Sequence, residues 1–336
     1  MKAITYTRYG PPEVLDLADV STPVPKDDEV LVRVRAAEAT KADCEMRSFH
    51  FSVRWFWLPL RLVLGVWRPR RPILGAYFAG EIAAVGRNVT SFAVGDEVFG
   101  SSGLRLGAYG EFMAVPASGA IVEKPRTMPF TDAAAVPMGG LNALHFMRLA
   151  RIQPGDRVLI IGAGGSIGAH AVQIAKSMGA EVTGVDTGAK ADLLRRLGAD
   201  HVVDYTTDDA LAAAARYDVV FDMVPGRSLT AALRALTPGA RYLHGNPRLS
   251  LLIRAPFVRW FTDKFATCAF AGETKEGLLT LKAMVEAGAI TSIVDRVLPM
   301  TDAAEAHRLV ESETRRGAIV LAIGPIDVHP PAATIA

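Results

Sequence analysis

Four glycines fall within seven residues: Gly162, Gly164, Gly165 and Gly168. Glycine at such positions lets the backbone approach a pyrophosphate that a side chain would keep away. A helix that opens directly from the turn aims free N–H groups and partial positive charge at the phosphates. The chemistry this serves is the grip of a dinucleotide. Asp186, 18 residues after Gly168, stands where an acceptor for ribose hydroxyls is expected. The spacing is not strict G-x-G-x-x-G: Ile167 fills the third glycine's place, and Gly168 comes one residue late. A tight βα turn in an unrelated α/β domain is the plainer reading of glycines alone.

The surrounding elements favour the dinucleotide. Residues 157–161 (RVLII) form a short apolar run, as in a strand buried on both faces. Residues 167–178 are amphipathic, with Ala171, Val172, Ile174, Ala175 and Met178 on one face, and Gly179 ends that helix. Residues 181–185 predict a second strand with Asp186 at its tip. The βα alternation then continues. Strands are expected at 201–204, 218–222, 241–244 and 267–271, with helices at 189–197, 208–216 and 228–236. Such alternation predicts a parallel sheet covered on both faces.

The flanking chain differs. Residues 2–6, 29–35, 75–85, 94–99 and 110–115 read as strands punctuated by glycine and proline, and EVLVRVR alternates cleanly. Residues 132–147 predict a helix with Thr131 as N-cap. The segments 275–287, 293–297, 302–311 and 318–323 are expected to return to the first domain. The chain has 336 residues, half of them hydrophobic, and a net charge of +2. Those values exclude a disordered chain and a general nucleic-acid binder. Cys44 and Cys268 make no metal cluster or disulfide framework, and no signal peptide is visible at the start. A cytoplasmic location is expected.

This layout resembles the zinc-independent quinone-oxidoreductase branch of the medium-chain dehydrogenase/reductase superfamily. The likeness rests on MKAITYTRYGPPEVL, VLVRVRAAEATKADCEMR, PILGAYFAGEIAAVGRNVTSFAVGDEVFG, AAAVPMGGLNALHFM, the glycine turn and LLRRLGADHVVDY. It implies an α/β chain in which a GroES-like β domain, 1–126 plus 273–336, is interrupted by a Rossmann domain with a doubly wound parallel sheet, 127–272. It implies NAD(P)H as cofactor and a quinone or α,β-unsaturated carbonyl as substrate, in a homodimer. Zinc-dependent relatives place a Cys and a His-Glu pair where this chain has Thr40 and Ala76-Tyr77. These residues cannot supply the thiolate and imidazole of a tetrahedral zinc site, so no metal is expected.

The resemblance assigns Thr40 and Tyr77 to catalysis, each able to donate a hydrogen bond to a substrate oxygen. Packing roles, a strand-end cap and a core aromatic, are the alternatives. Asp43 matches an acid expected to hold the loop. Along the nucleotide the resemblance places Asn142, Ser166, Ile167, Thr187, Lys190, Tyr205, Met223, Val224 and Gly245, beside the glycines and Asp186. Asp186 favours NADH because an acid repels a 2′-phosphate. Lys190 and Tyr205 fall near where relatives contact that phosphate. An alcohol dehydrogenase and a nucleotide-binding protein with little turnover remain open.

Residues 49–67 (FHFSVRWFWLPLRLVLGVW) hold three of the four tryptophans, and no acid lies between Glu45 and Glu81. Arg47, Arg54, Arg61 and Arg68 recur every seven residues, which on one helix would make a single stripe, but Pro59 and Gly65 argue against one unbroken helix. A second apolar, arginine-bearing stretch spans 249–265. These stretches could wall a pocket for a bulky apolar substrate, form a dimer contact, or lie as a peripheral element on a membrane.

Overall fold

The computed structural model describes residues 1–51, 57–246, 249–269 and 271–324. The predicted features at Arg54 and Trp55, the end of the 267–271 strand and the tail from residue 325 lie wholly or partly outside them.

Two sheets carry the fold. The first is six-stranded, in the order His201–Asp204, Glu181–Asp186, Arg157–Ile161, Tyr217–Asp222, Leu236–His244, Phe265–Cys268. Every neighbouring pair is parallel. Val158 and Ile160 enter one core, Leu159 and Ile161 the other. Both faces are therefore covered, which is why the strand is apolar at every position but its first. Strand order reverses between Arg157–Ile161 and Tyr217–Asp222. A crevice opens at the carboxyl ends of strands at such a reversal, and ligands bind there.

The second sheet is seven-stranded: Val294–Pro299, Ala318–Ala322, Glu29–Ala39, Tyr77–Val85, Glu97–Ser101 and Ile121–Glu123 in order, with Phe112–Pro116 also paired to Glu29–Ala39. The C-terminal strands thus join the sheet built by the N-terminal part of the chain, as expected. The helix Lys275–Glu286 packs instead on the helix Val136–Ala150, with Leu278 and Leu281 in the core of the nucleotide-binding half.

Glu29–Ala39 positions the site. Its register shifts between Val34 and Ala36. Val30, Val32 and Val34 share one core with Ala37 and Ala39, whereas Ala36 faces the core of the nucleotide-binding half. An irregularity of this kind re-aims side chains beyond it. Thr40, at the strand's end, N-caps the helix Lys41–Ser48, which the sequence pattern did not predict.

Several expectations are corrected. No helix forms at 208–216, where the chain makes turns and residues 212–216 are exposed. Alanine's helix propensity without an apolar face to bury is insufficient. Thr131 is no N-cap: it lies inside Phe130–Ala134, which starts after Pro129 and is followed by Val136–Ala150. Arg47, Arg61 and Arg68 do not share one helix, in keeping with Pro59 and Gly65. Lys41–Ser48 and Trp57–Leu64 are separate helices; Arg47 is buried, Arg61 lies over aromatic rings, and Arg68 is exposed.

Candidate active site

The glycine turn is held from below by strand Glu181–Asp186. Gly162 and Ala163 donate N–H bonds to Val185 O, each at 3.0 Å. Gly162 has φ +81°, a conformation that favours glycine. A Cβ on Gly168 would stand 2.2 Å from Gly162 O, so only glycine lets the helix Ser166–Ser177 approach this closely. Asp186 ties the turn to the strand tip: Oδ2 accepts from Gly164 N at 2.8 Å and Oδ1 from Thr187 N at 2.9 Å. Lys190 is buried rather than a solvated helix residue, with Nζ 3.3 Å from Asp186 Oδ1.

A cleft of about 880 Å³ opens above these groups. Among residues assigned to the nucleotide, Gly162, Gly165, Asp186, Thr187, Lys190, Tyr205, Met223 and Val224 line it. Asn142, Gly164, Ser166, Ile167, Gly168 and Gly245 are not in its lining. Asn142 donates to Met138 O at 2.8 Å within its own helix, and Ile167 packs against the core. Gly245 makes room for Met223, whose Sδ would lie 2.2 Å from an added Cβ.

The opposite wall went unpredicted: Lys41, Arg227, Glu313, Arg315 and Arg316. Lys41 pairs with Glu313 at 2.6 Å. Arg227 Nε and Arg315 Nη1 are buried without a hydrogen-bond partner. The loop residues Arg315 and Arg316 carry no periodic signal; the only hint was their adjacency in a charged run. This donor set fits a dinucleotide: orphaned guanidinium N–H groups beside a glycine cradle are matched by phosphate oxygens.

Thr40 is buried, and its Oγ1 donates to Asp43 Oδ2 at 2.6 Å while accepting from Asp43 N at 3.2 Å. Its single proton is directed at Asp43, so polarising a substrate carbonyl requires giving up that bond. Asp43 also accepts from Thr40 N and Gly75 N, which pins strand end, helix start and the Gly75 turn together. Burial raises its pKa from the usual carboxylate range, against the hydrogen bonds from Thr40.

Tyr77 donates to Glu273 Oε1 at 2.5 Å, and Ser101 donates to Glu273 Oε2 at 2.5 Å. Burial first, then the Glu273 charge, raise the Tyr77 pKa well above its ordinary value, so the phenol keeps its proton. Glu273 was missed because it lies 196 residues from Tyr77 in sequence. Glu38 was missed too. It is fully buried, and burial raises its pKa to about 8 against the pull of Arg315 and of the Ser166 hydroxyl.

Zinc does not fit these residues. Among the described residues no three of His, Cys, Asp and Glu come together to hold a metal ion. Thr40, Ala76 and Tyr77 offer no thiolate or imidazole, and Cys44 is buried against His307 O at 3.7 Å.

Three family models match the chain. They are described as alcohol dehydrogenase GroES-like domain at residues 26–126, alanine dehydrogenase/PNT C-terminal domain at 135–228, and zinc-binding dehydrogenase at 197–321. The chain is 29% identical to a quinone oxidoreductase of Sus scrofa over 335 residues, covering 96% of this chain and 97% of the relative. It is 30% identical to a 2-methylene-furan-3-one reductase of Solanum lycopersicum over 234 residues, covering 67% of this chain and 57% of that one. The structure of the quinone oxidoreductase from Coxiella burnetii superposes with a TM-score of 0.84 at 27% identity, covering 96% of this chain and 99% of that chain. A crystal structure of an NAD-dependent alcohol dehydrogenase gives 0.83 at 29%, covering 96% and 100%.

Proposed function

The chain belongs to the medium-chain dehydrogenase/reductase superfamily, and on that premise we propose that it is a metal-free, NAD(P)H-dependent oxidoreductase acting on a quinone or an α,β-unsaturated carbonyl compound. The relatives named as quinone oxidoreductases and as a furanone reductase support the substrate class. One observation carries the reading. Arg227 and Arg315 line the cleft beside the glycine turn, and Arg227 Nε and Arg315 Nη1 are buried without a partner. Leaving buried cationic donors unpaired is costly, and phosphate satisfies them.

When bound, NAD(P)H supplies a hydride. The residues of this chain bind the reactants and orient them. The N-terminus of the helix Ser166–Ser177 and the turn before it hold phosphates. Asp186 accepts from the ribose, already oriented by Gly164 and Thr187. Lys190 offsets part of its charge, so NADH is favoured over NADPH only modestly. A quinone or enone needs no Lewis acid, since conjugation carries the developing charge to an oxygen. Tyr77, turning its O–H from Glu273, donates a hydrogen bond that stabilises that oxygen, and water supplies the proton. Thr40 acts through its cap, holding Asp43 and the segment beside the cleft. We place the homodimer contact at the edge strand Phe265–Cys268.

The test is turnover of a panel of quinones and enals with NADH and with NADPH. The expected result is reduction of at least one acceptor, indifferent to chelators and slowed by Tyr77→Phe. NADH should exceed NADPH in kcat/KM by up to about tenfold. Nucleotide binding without turnover on any acceptor refutes the enzyme reading. A strong NADPH preference refutes the role given to Asp186.

A further inference from the structure

The helix Trp57–Leu64 is apolar on its exposed face as well as on its buried one. Its arginine, Arg61, turns inward over the rings of Phe49 at 4.2 Å and Tyr9 at 4.7 Å. Leu60 and Leu64 pack against the core, but the opposite face is apolar too: Leu58 is 61% exposed, Leu62 57% and Val63 56%. A surface helix of a water-soluble chain ordinarily keeps that face polar. The next turn extends the same surface, with Trp67 at 91% exposure and Arg68, Arg70 and Arg71 all exposed.

The surface is preformed. Arg70 N donates to Leu64 O at 2.8 Å, and Tyr9 Oη donates to Gly65 O at 2.9 Å. Gly65 has φ +126°, and a Cβ there would meet Arg68 O at 2.0 Å. These contacts fold the arginine-bearing loop back beside the helix and hold Trp67 out. No acid lies between Glu45 and Glu81 to neutralise it.

We propose that Trp57–Leu64 and the loop through Arg71 form a docking surface for an anionic phospholipid bilayer, the helix lying in the interface with its apolar side chains among the acyl chains. Exposed aliphatic side chains and a tryptophan flanked by arginines match the boundary between headgroups and hydrocarbon. The acid-free arginine cluster complements anionic headgroups. The charge also argues against a second copy. A two-fold contact through this patch would press one Arg68–Arg70–Arg71 cluster against another, with no acid from either segment between them. Spanning is not involved: among the described residues no helix is long and apolar enough to cross a membrane. A second helix, Leu249–Phe261, repeats the chemistry with Ile253, Phe257 and Trp260 exposed beside Arg254 and Arg259. The inference does not depend on the proposed reaction.

The test uses the full chain with vesicles of phosphatidylcholine alone and of phosphatidylcholine with phosphatidylserine. Co-sedimentation with the anionic vesicles only, weakened by salt and accompanied by a blue shift of tryptophan emission, is expected. Each of Arg68→Gln, Arg70→Gln and Arg71→Gln should weaken partitioning about fivefold. Leu62→Ser combined with Trp67→Ser, checked for an unchanged circular dichroism spectrum, should abolish it. Absence of binding to anionic vesicles at low salt overturns the proposal. So does binding that survives the double variant, or a wild-type dimer that the double variant dissociates.

Discussion

Replacing Glu38 by glutamine isolates what a buried carboxyl does to this fold. Glu38 has no exposed surface, and burial lifts its pKa from the ordinary 4.5 to about 8, against Arg315 and the Ser166 hydroxyl. Arg315 pulls the value down but does not prevail. Between those two pH values the folded chain keeps a proton on Glu38 that the unfolded chain releases. The folded state binds more protons there, so stability falls as pH rises through the window and levels off above about 8. One pH unit corresponds to about 1.4 kcal/mol, so the whole window is worth at most about 5 kcal/mol. Glu38→Gln keeps the shape and cannot ionise. Its unfolding free energy should track the wild type near pH 5 and exceed it by several kcal/mol, on the order of 3–5, near pH 9. Urea unfolding followed by circular dichroism across that range measures the difference. Parallel pH profiles for the two proteins would refute the reasoning, as they would mean that Glu38 ionises in the folded state as easily as in water.

Two other perturbations have clear directions. Gly168→Ala places a Cβ 2.2 Å from Gly162 O and 2.7 Å from Ala163 Cα, so the helix Ser166–Ser177 must retreat from the turn. Nucleotide affinity should fall by about two orders of magnitude in a fluorescence titration, with the fold retained. Arg47→Met removes a buried cation that donates to Gly10 O, to His307 Nδ1 at 3.2 Å and to Glu311 Oε1 at 2.5 Å. A loss of about 3 kcal/mol is expected in urea unfolding. The same change alters the acid limb. Burial, then the Arg47 charge, depress the His307 pKa from 6.5 to about 3, so its stability contribution is present above 6.5 and is lost as pH falls toward 3. Without Arg47 the His307 pKa rises, and acid unfolding attributable to it becomes shallower.

That His307 network also shows how a structure reads protons. Arg47 can only donate, so Nδ1 of the neutral imidazole accepts. The proton therefore sits on Nε2, which faces Tyr109 Oη at 3.1 Å. Arg47 had seemed one member of a seven-residue repeat; its partners lie 260 and 264 residues away.

Local pattern determined a good deal. The glycine turn, the strand before it, the helix after it and Asp186 form one contiguous unit, and each follows from spacing along the chain. Near-continuous apolar runs marked strands buried on both faces, and the alternation of EVLVRVR marked a half-covered one. The changed alternation of the last segments pointed to their return, and the resemblance named the domains. What tertiary structure decided is everything made by elements far apart in sequence. Lys41, Arg227, Arg315 and Arg316 meet in one cleft because a strand end, a βα connection and a C-terminal loop converge there. Tyr77 finds Glu273 from 196 residues away. Strict alternation would have put Glu38 on the face of Val30, Val32 and Val34; the shift after Val34 sends Ala36 to the opposite core instead. Sequence period reports which face a residue shares with its neighbours. It cannot report an irregularity that exchanges the faces, nor what another domain lays over them.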